Sequence, residues 1–140
     1  MLQERIAITN PVACIGGFYD ADVAASQTNA QLLLAGSGGN DGVVMPRPGY
    51  VIGLTGSLSA AASAGSLTVG VTIDGTEDAD TTQTITTQQE IRALFTTGAQ
   101  AVRFAAGQQI GVEITTNSSW DGTTADLDVQ VWVVFEGWEY

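Results

Sequence analysis

Carboxylates are the reactive side chains that this sequence supplies in number. It holds fifteen Asp and Glu residues against four Arg, with no His and one Cys, and its formal net charge is -11. Two aspartate pairs, Asp20 with Asp22 and Asp126 with Asp128, have the spacing that places both carboxylates on one face of a strand. Glycosidases use paired carboxylates, which stand roughly 5 to 10 Å apart across a sugar cleft. No pattern typical of a cleft accompanies either pair, so the sequence predicts that the chain is not an enzyme.

A further acidic group lies in the stretch IDGTEDADTT, which contains Asp74, Glu77, Asp78 and Asp80. Oxygen ligands of this kind suit Ca²⁺, but the ligand spacing of an EF-hand loop is absent. A solvated acidic loop is favoured, and cation binding at 74–80 stays open. The glycine run GSGGNDG lacks the Lys and Ser/Thr of a phosphate-binding loop. We therefore expect no cofactor and no metal site.

The excess of acids also limits the partners of the chain. Nucleic-acid affinity depends on basic side chains that neutralise several phosphates, and the sequence offers Arg5, Arg47, Arg92 and Arg103. No nucleic-acid partner is expected, and the same charge argues against anionic membrane surfaces. No apolar run approaches the roughly 20 residues that span a bilayer. The start, MLQERIAITN, lacks the apolar segment of a secretory signal, so we expect use without export.

Alternation of apolar residues with period two dominates the sequence from Tyr50 onward. It is strongest in LDVQVWVVFE and recurs in QIGVEIT, SLTVGVTID, YVIGLTGSLS and AVRF. Each of these strands has one face for a core and one for solvent or a neighbouring subunit, and Glu113 is predicted to point outward. The residues predicted to face the core are Ile52, Leu54, Leu58, Leu67, Val69, Val71, Ile73, Val102, Phe104, Ile110, Val112, Ile114, Leu127, Val129, Val131, Val133 and Phe135.

Turn residues separate these strands. Asp and Gly supply turn geometry and positive φ, and several short strands with regular turns predict an all-β sandwich or barrel. The predicted turns are Ala64-Gly65, Asp74-Gly75, Ala106-Gly107 and Asp121-Gly122.

The stretch TQQEIRALF competes with this all-β interpretation. Ile91, Leu94 and Phe95 have helical spacing, and Thr87 with Glu90 has the arrangement of a capping box. Because the rest of the chain reads as strands, a strand is favoured here over a helix.

Residues 1–45 differ from the rest of the chain. Gln3 to Thr9 and Gln31 to Ala35 have the character of short strands, and small polar stretches lie between and after them. The predicted organisation is an N-terminal arm with edge strands at 1–45, which includes a flexible glycine-rich loop. An antiparallel β-sandwich follows at 46–140.

Four features of the sandwich region follow a recognisable order. They are a proline-glycine entry at Pro48-Gly49, a small-residue turn and strand from Ala64 to Gly75, a hairpin from Phe104 to Thr116, and an alternating strand from Leu127 to Glu136. In this order the chain, over about residues 46–136, resembles the jelly-roll domains of tailed-phage virion proteins. These include capsid decoration (cement) proteins and related head or tail fibre modules.

The resemblance implies a jelly-roll fold and a homotrimer on threefold or quasi-threefold positions of an icosahedral shell. It further implies a structural virion protein that is synthesised in the host cytoplasm, binds the major capsid protein on the capsid exterior, and stabilises the head by bridging capsomers. The alternative is a receptor- or glycan-binding fibre module on the same fold. A length of 140 residues favours the decoration protein, because fibre modules usually follow a longer shaft sequence.

Aromatic residues near the C-terminal end of the sequence predict an interface. Trp132 lies on the face of its strand opposite the core residues, and Trp138 and Tyr140 follow that strand. Aromatics are enriched at interfaces because they bury large areas and keep a polar group. Together with Ile6 and Ile8 of the arm they form the predicted interface set. The alternative is that the arm of the same subunit covers this face.

Overall fold

The computed structural model describes residues 11–34, 42–95 and 102–136, and over these ranges the protein is all-β. A 3-10 turn covers Ala79–Thr81. The strands are β1 (Val12–Asp20), β2 (Ala30–Gln31), β3 (Leu33–Leu34), β4 (Val43–Val44), β5 (Gly49–Leu58), β6 (Leu67–Ile73), β7 (Thr76–Glu77), β8 (Gln83–Ile85), β9 (Glu90–Leu94), β10 (Val102–Phe104), β11 (Gln109–Thr116) and β12 (Leu127–Phe135).

These strands form two antiparallel sheets. Sheet A has the order β10-β5-β12-β1-β3, with β9 also paired to β5. Sheet B has the order β2-β11-β6-β7, with β4 paired to β11 and β8 paired to β6. Apolar side chains from both sheets form one buried cluster. The predicted all-β class and antiparallel sandwich are therefore confirmed at this level.

The core contains nearly all the side chains that the alternation predicted. Every member of the predicted set except Ile52 is buried or packs against the buried cluster. In β12 the inward side chains of Leu127, Val129, Val131 and Val133 are fully buried. Burial of one face fixes the register of a strand, because a shift of one residue would turn the whole apolar set to solvent.

Ile52 faces outward because β5 contains a bulge. Trp132 pairs with Gly53 while Val133 pairs with Val51, so Ile52 has no opposite residue on β12. An extra residue reverses the in-out alternation along the strand. Val51 consequently lies in the core, and the prediction that Ile52 shares a face with the core residues was wrong.

The predicted turn chemistry is confirmed at the hairpin between β6 and β7. Asp74 and Gly75 both have positive φ, 51° and 82°, as a two-residue type I′ turn requires. Residues Glu90–Leu94 form strand β9 paired to β5, so the strand interpretation of TQQEIRALF is confirmed.

The N-terminal third differs from the predicted arm. Strand β1 lies between β12 and β3 inside sheet A, and Phe18, Val23 and Leu32 belong to the core. Residues 12–34 are therefore part of the sandwich, which corrects the assignment of all of 1–45 to an arm with edge strands. Residues 1–10 and 35–41 lie outside the described ranges.

Two irregularities explain why the sequence pattern concealed these strands. The pairing of β1 with β12 shifts between Ile15 and Phe18, so two inward residues stand three apart and the alternation breaks. The strand predicted at Gln31 to Ala35 is instead two short strands. β2 pairs in sheet B and β3 in sheet A, so the chain crosses between the sheets at the buried Leu32.

Candidate interaction surface

The outward side of sheet A, called outer face A here, carries most of the exposed large hydrophobic residues that the structure describes. The strand register defines the centre of this face. Four residues lie side by side there on four neighbouring strands: Leu94, Gly53, Trp132 and Cys14. The residues that define outer face A are Val12, Cys14, Tyr19, Leu33, Tyr50, Ile52, Thr55, Arg92, Leu94, Arg103, Asp128, Gln130, Trp132 and Val134.

Exposed hydrophobic side chains concentrate on this face. Among the large hydrophobic residues that the structure describes, six are exposed, and five of them belong to outer face A. Leu94 is 82% exposed and Val12 is 58% exposed. The sixth, Val44, pairs with Gln109 in sheet B. A contiguous apolar patch on one face is typical of an interaction site, whereas scattered single residues need no explanation.

The indole of Trp132 is held in place at the centre of the face. Its Nε1 donates to Oγ1 of Thr55 at 2.9 Å, and that hydroxyl donates to Oε1 of Gln130 at 3.2 Å. With its polar group satisfied, 37% of Trp132 remains exposed. A fixed aromatic ring can be covered by a partner without a large loss of side-chain entropy.

A shallow pocket of about 520 Å³ lies beside Trp132. Ile52, Ala93 and Leu94 line it with apolar atoms, and Arg92 lies on its polar side. The bulge in β5 is what turns Ile52 toward this pocket. The pocket therefore suits an apolar or aromatic side chain of a partner.

A polar cluster borders the same face at the end where β5 begins. The Arg103 guanidinium donates to the Tyr50 hydroxyl at 2.9 Å and forms an ion pair with Glu136. It also lies 5.4 Å from the centre of the Tyr50 ring. The hydrogen bond with Tyr50, together with the charge of Glu136, raises the pKa of Arg103. An apolar centre with a charged border is the usual anatomy of a protein interface.

The predicted interface residues are only partly placed by the structure. Trp132 is exposed on the side of β12 opposite the core residues, as the alternation predicted. Trp138, Tyr140, Ile6 and Ile8 lie outside the described residues, so their role stays a prediction.

Sequence reasoning missed Leu94, the most exposed large hydrophobic residue that the structure describes. Its helical spacing with Ile91 and Phe95 suggested a shared face. In strand β9, however, Ile91 points into the core while Leu94 lies opposite Gly53 on the outside. Glu90, Arg92 and Leu94 alternate with Ile91 and Ala93, and this period of two would have placed Leu94 on the outer face.

The predicted aspartate pairs come together at the other end of sheet A. The backbone N–H of Asp22 donates to Oδ1 of Asp126 at 3.0 Å. A hydrogen bond to Asp126 raises the pKa of the Tyr19 hydroxyl. Burial, with the negative charges of Asp126 and Asp22, raises the pKa of Asp20. Asp126 and Asp22 thus tie the loop after β1 to the start of β12.

Carboxylates of the acidic loop have structural partners of their own. Oδ1 of Asp74 accepts from the backbone N–H of Gln109 at 2.8 Å. Oδ1 of Asp78 accepts from the N–H of Asp80 at 2.9 Å and caps the 3-10 turn. Within 11–34, 42–95 and 102–136, no three His, Cys, Asp or Glu side chains are grouped so as to hold a metal ion.

The outward side of sheet B, called outer face B here, carries threonine, glycine and two close glutamates. Its defining residues are Gln31, Thr68, Gly70, Thr72, Glu77, Thr84, Glu113 and Thr115. Glu113 points outward as predicted, yet it is only 4% exposed. The Glu77 side chain lies over Gly70, which pairs with Glu113, and Gln31 donates to Oε2 of Glu113 at 2.8 Å.

The pKa values of both glutamates are raised by their surroundings. Burial raises the pKa of Glu113, and the hydrogen bond from Gln31 opposes that effect. Burial and the neighbouring charge of Glu113 raise the pKa of Glu77.

No described helix is long and apolar enough to cross a membrane. No protein-family model matches the chain, and a search of curated proteins finds no match either.

Proposed function

We propose that the protein is a structural assembly module that associates with further copies of itself through outer face A. The observation that carries this proposal is the concentration of exposed hydrophobic side chains there, with the fixed indole of Trp132 at the centre. Burial of apolar surface drives association. The fold of this module is stabilised by its own core, and a second apolar face stays exposed. Binding of a partner would bury that face.

The finer proposal follows the resemblance of residues 46–136 to jelly-roll proteins of tailed phages. On this basis the module is a homotrimeric capsid decoration protein that binds the major capsid protein on the virion exterior and bridges capsomers. Two antiparallel sheets around one core support a fold of this kind.

A matched pair of substitutions tests self-association. Leu94→Gln and Val44→Gln each remove an exposed apolar side chain, the first from outer face A and the second from sheet B. Full burial of a leucine is worth roughly 1.5 to 3 kcal/mol. We expect Leu94→Gln to weaken trimer formation about tenfold or more in light scattering across a concentration series, and Val44→Gln to leave it unchanged. A wild-type monomer at tens of micromolar, or equal effects of both variants, would contradict the proposal.

The virion role has a separate test. Antibodies against the protein should label the outer surface of heads when tailed-phage particles from its source are viewed by immunoelectron microscopy. Label at fibre tips would favour the fibre module instead. Particles without label would contradict a virion role altogether.

A further inference from the structure

A chain of three hydrogen bonds crosses outer face A. The Trp132 indole N–H donates to Oγ1 of Thr55 at 2.9 Å, and that hydroxyl donates to Oε1 of Gln130 at 3.2 Å. The Gln130 side chain in turn donates through Nε2 to Oδ1 of Asp128 at 3.1 Å. The chain therefore runs from the aromatic ring at the centre of the face to an exposed carboxylate near the start of β12.

The carboxylate gives this chain of hydrogen bonds one direction. A carboxylate accepts hydrogen bonds and donates none, so Asp128 fixes the Gln130 amide with its NH2 group toward Oδ1 and its carbonyl oxygen toward Thr55. The carbonyl oxygen also only accepts, so it takes the Thr55 hydroxyl proton and leaves a hydroxyl lone pair for the indole N–H. Hydrogen bonds in such a series polarise and strengthen one another.

Two glycines leave room for the hydrogen-bonded side chains. A Cβ at Gly53, which pairs with Trp132, would lie 3.7 Å from Cδ1 of the indole. A Cβ at Gly16 on β1 would lie 3.2 Å from Cγ of Gln130. The indole edge and the Gln130 side chain therefore rest on bare backbone, where the hydrogen bonds decide their orientation.

The orientation of the indole shapes the pocket beside it. Trp132 and Thr55 both line this pocket of about 520 Å³, together with Gly53. An indole released from Thr55 is free to turn over Gly53, because no side chain stands there. The indole N–H and the Thr55 hydroxyl proton are both used within the chain, so a partner can cover them with apolar atoms without leaving a buried donor unpaired.

From these observations we infer that Asp128 is a positioning residue of outer face A. Through Gln130 and Thr55 it holds the Trp132 indole in the orientation that a second copy covers. The inference rests on the proposed self-association, and it gives an exposed polar residue a part in an apolar contact. Without the chain, association would have to immobilise a mobile indole, which costs side-chain entropy.

Hydrogen exchange of the Trp132 indole proton, measured by NMR on dilute monomer, tests the orientation directly. Trp132→Phe identifies its signal among those of the three tryptophans. We expect Thr55→Val, which keeps the side-chain shape and removes the hydroxyl, to speed the exchange roughly threefold to tenfold. Asp128→Ala should speed it in the same direction by less. Asp128→Asn should stay near wild type, because its Oδ1 still accepts from Gln130.

Sedimentation equilibrium of the two Asp128 variants tests the effect on association. Both substitutions remove the charge, and only Asp128→Ala removes the acceptor. We expect Asp128→Ala to weaken self-association roughly twofold to tenfold relative to Asp128→Asn. A charge effect alone would change both variants equally.

The outcomes separate the chain of hydrogen bonds from the self-association. Equal exchange rates in wild type and Thr55→Val would show that packing alone holds the indole, and would overturn the inference. Equal association of Asp128→Ala and Asp128→Asn would also overturn it, even with altered exchange, because orientation would then not affect binding. A wild-type protein that stays monomeric would contradict the proposed self-association and with it the positioning role, whereas the exchange rates would still show whether Asp128 orients the indole.

Discussion

The two outer faces of the sandwich have opposite chemistry although they cover the same core. Outer face A presents Leu94, Trp132 and Val12 to solvent, whereas outer face B presents threonines and folds its glutamates against the sheet. An antiparallel sheet with one solvated face normally alternates between apolar and polar residues. Outer face B follows this rule and outer face A breaks it. This difference is the physical basis of the proposed self-association through outer face A.

The largest expected difference between the two sheets is the loss of stability when a Cβ is added at a glycine with close neighbours. A Cβ at Gly49 in sheet A would meet the backbone carbonyl of Val134 and lie 2.8 Å from Cζ of the Phe104 ring. A Cβ at Gly70 on outer face B would have the flexible Glu77 side chain as its nearest neighbour. We expect Gly49→Ala to lower the free energy of unfolding by about 3 kcal/mol.

The matched variant Gly70→Ala should lower it by less than about 1 kcal/mol, because a flexible side chain can move away at little cost. Urea denaturation of both variants at one protein concentration measures the difference. Equal losses would mean that outer face B is packed as rigidly as the interior of sheet A.

The second test compares the centres of the two faces. Truncation of a central interface aromatic costs about 2 kcal/mol of association, or roughly 30-fold in Kd. We expect Trp132→Ala to weaken self-association by this amount, and Thr68→Ala on outer face B to leave it within error. Sedimentation equilibrium gives the association constants, and denaturation of each variant checks its fold. An equal loss in Thr68→Ala would remove the distinction between the faces.

The smallest expected effect is the pH dependence of stability that Glu113 on outer face B produces. Burial raises the pKa of Glu113 above its ordinary 4.5, so the folded protein holds this proton more tightly than the unfolded chain does. The resulting stability is fully present below the ordinary pKa and is lost as pH rises through the raised value. We expect the free energy of unfolding of Glu113→Gln to fall less than that of wild type as pH rises from about 4 toward neutrality.

Asp121 provides a control of opposite sign. Hydrogen bonds from Ser63, and from the backbone N–H of Ala64, lower the pKa of Asp121 below its ordinary 3.8. Its contribution to stability is present above that value and is lost as pH falls, so Asp121→Asn should lose less stability on acidification than wild type. A steeper fall with rising pH in Glu113→Gln would contradict the account of outer face B.

Sequence alone predicted the parts of the fold in which alternation runs without interruption. Strands β6, β11 and β12 were found because each keeps one face buried along most of its length. Strand β1 was missed because the irregularity after Ile15 disturbs its period. Ile52 was assigned to the wrong side for the same kind of reason, since a bulge depends on the partner strand and leaves no signal in the alternation.

The candidate surface was predictable only in part. Trp132 stood out because a large aromatic residue occupies an outward position between valines. The approach of Glu77 to Glu113 depends on the empty space above Gly70, and residues so far apart in sequence carry no local signal of their contact. Leu94 joins outer face A only through the pairing of β9 with β5.

The pairing of β1 with β12, which a hydrogen bond from the Phe135 N–H to the Pro11 carbonyl extends, has a mechanical consequence. Among the described strands, the first and the last, β1 and β12, are antiparallel neighbours, and Val12 lies opposite Val134 at one end of their pairing. Tension applied between those ends would pull along the inter-strand hydrogen bonds, which lie perpendicular to the strands, and would open the pairs one at a time. Force that enters through the broad faces is instead shared by the whole bonded network. Tension at these strand ends therefore loads a few hydrogen bonds at a time, whereas load across the sheets is spread over many.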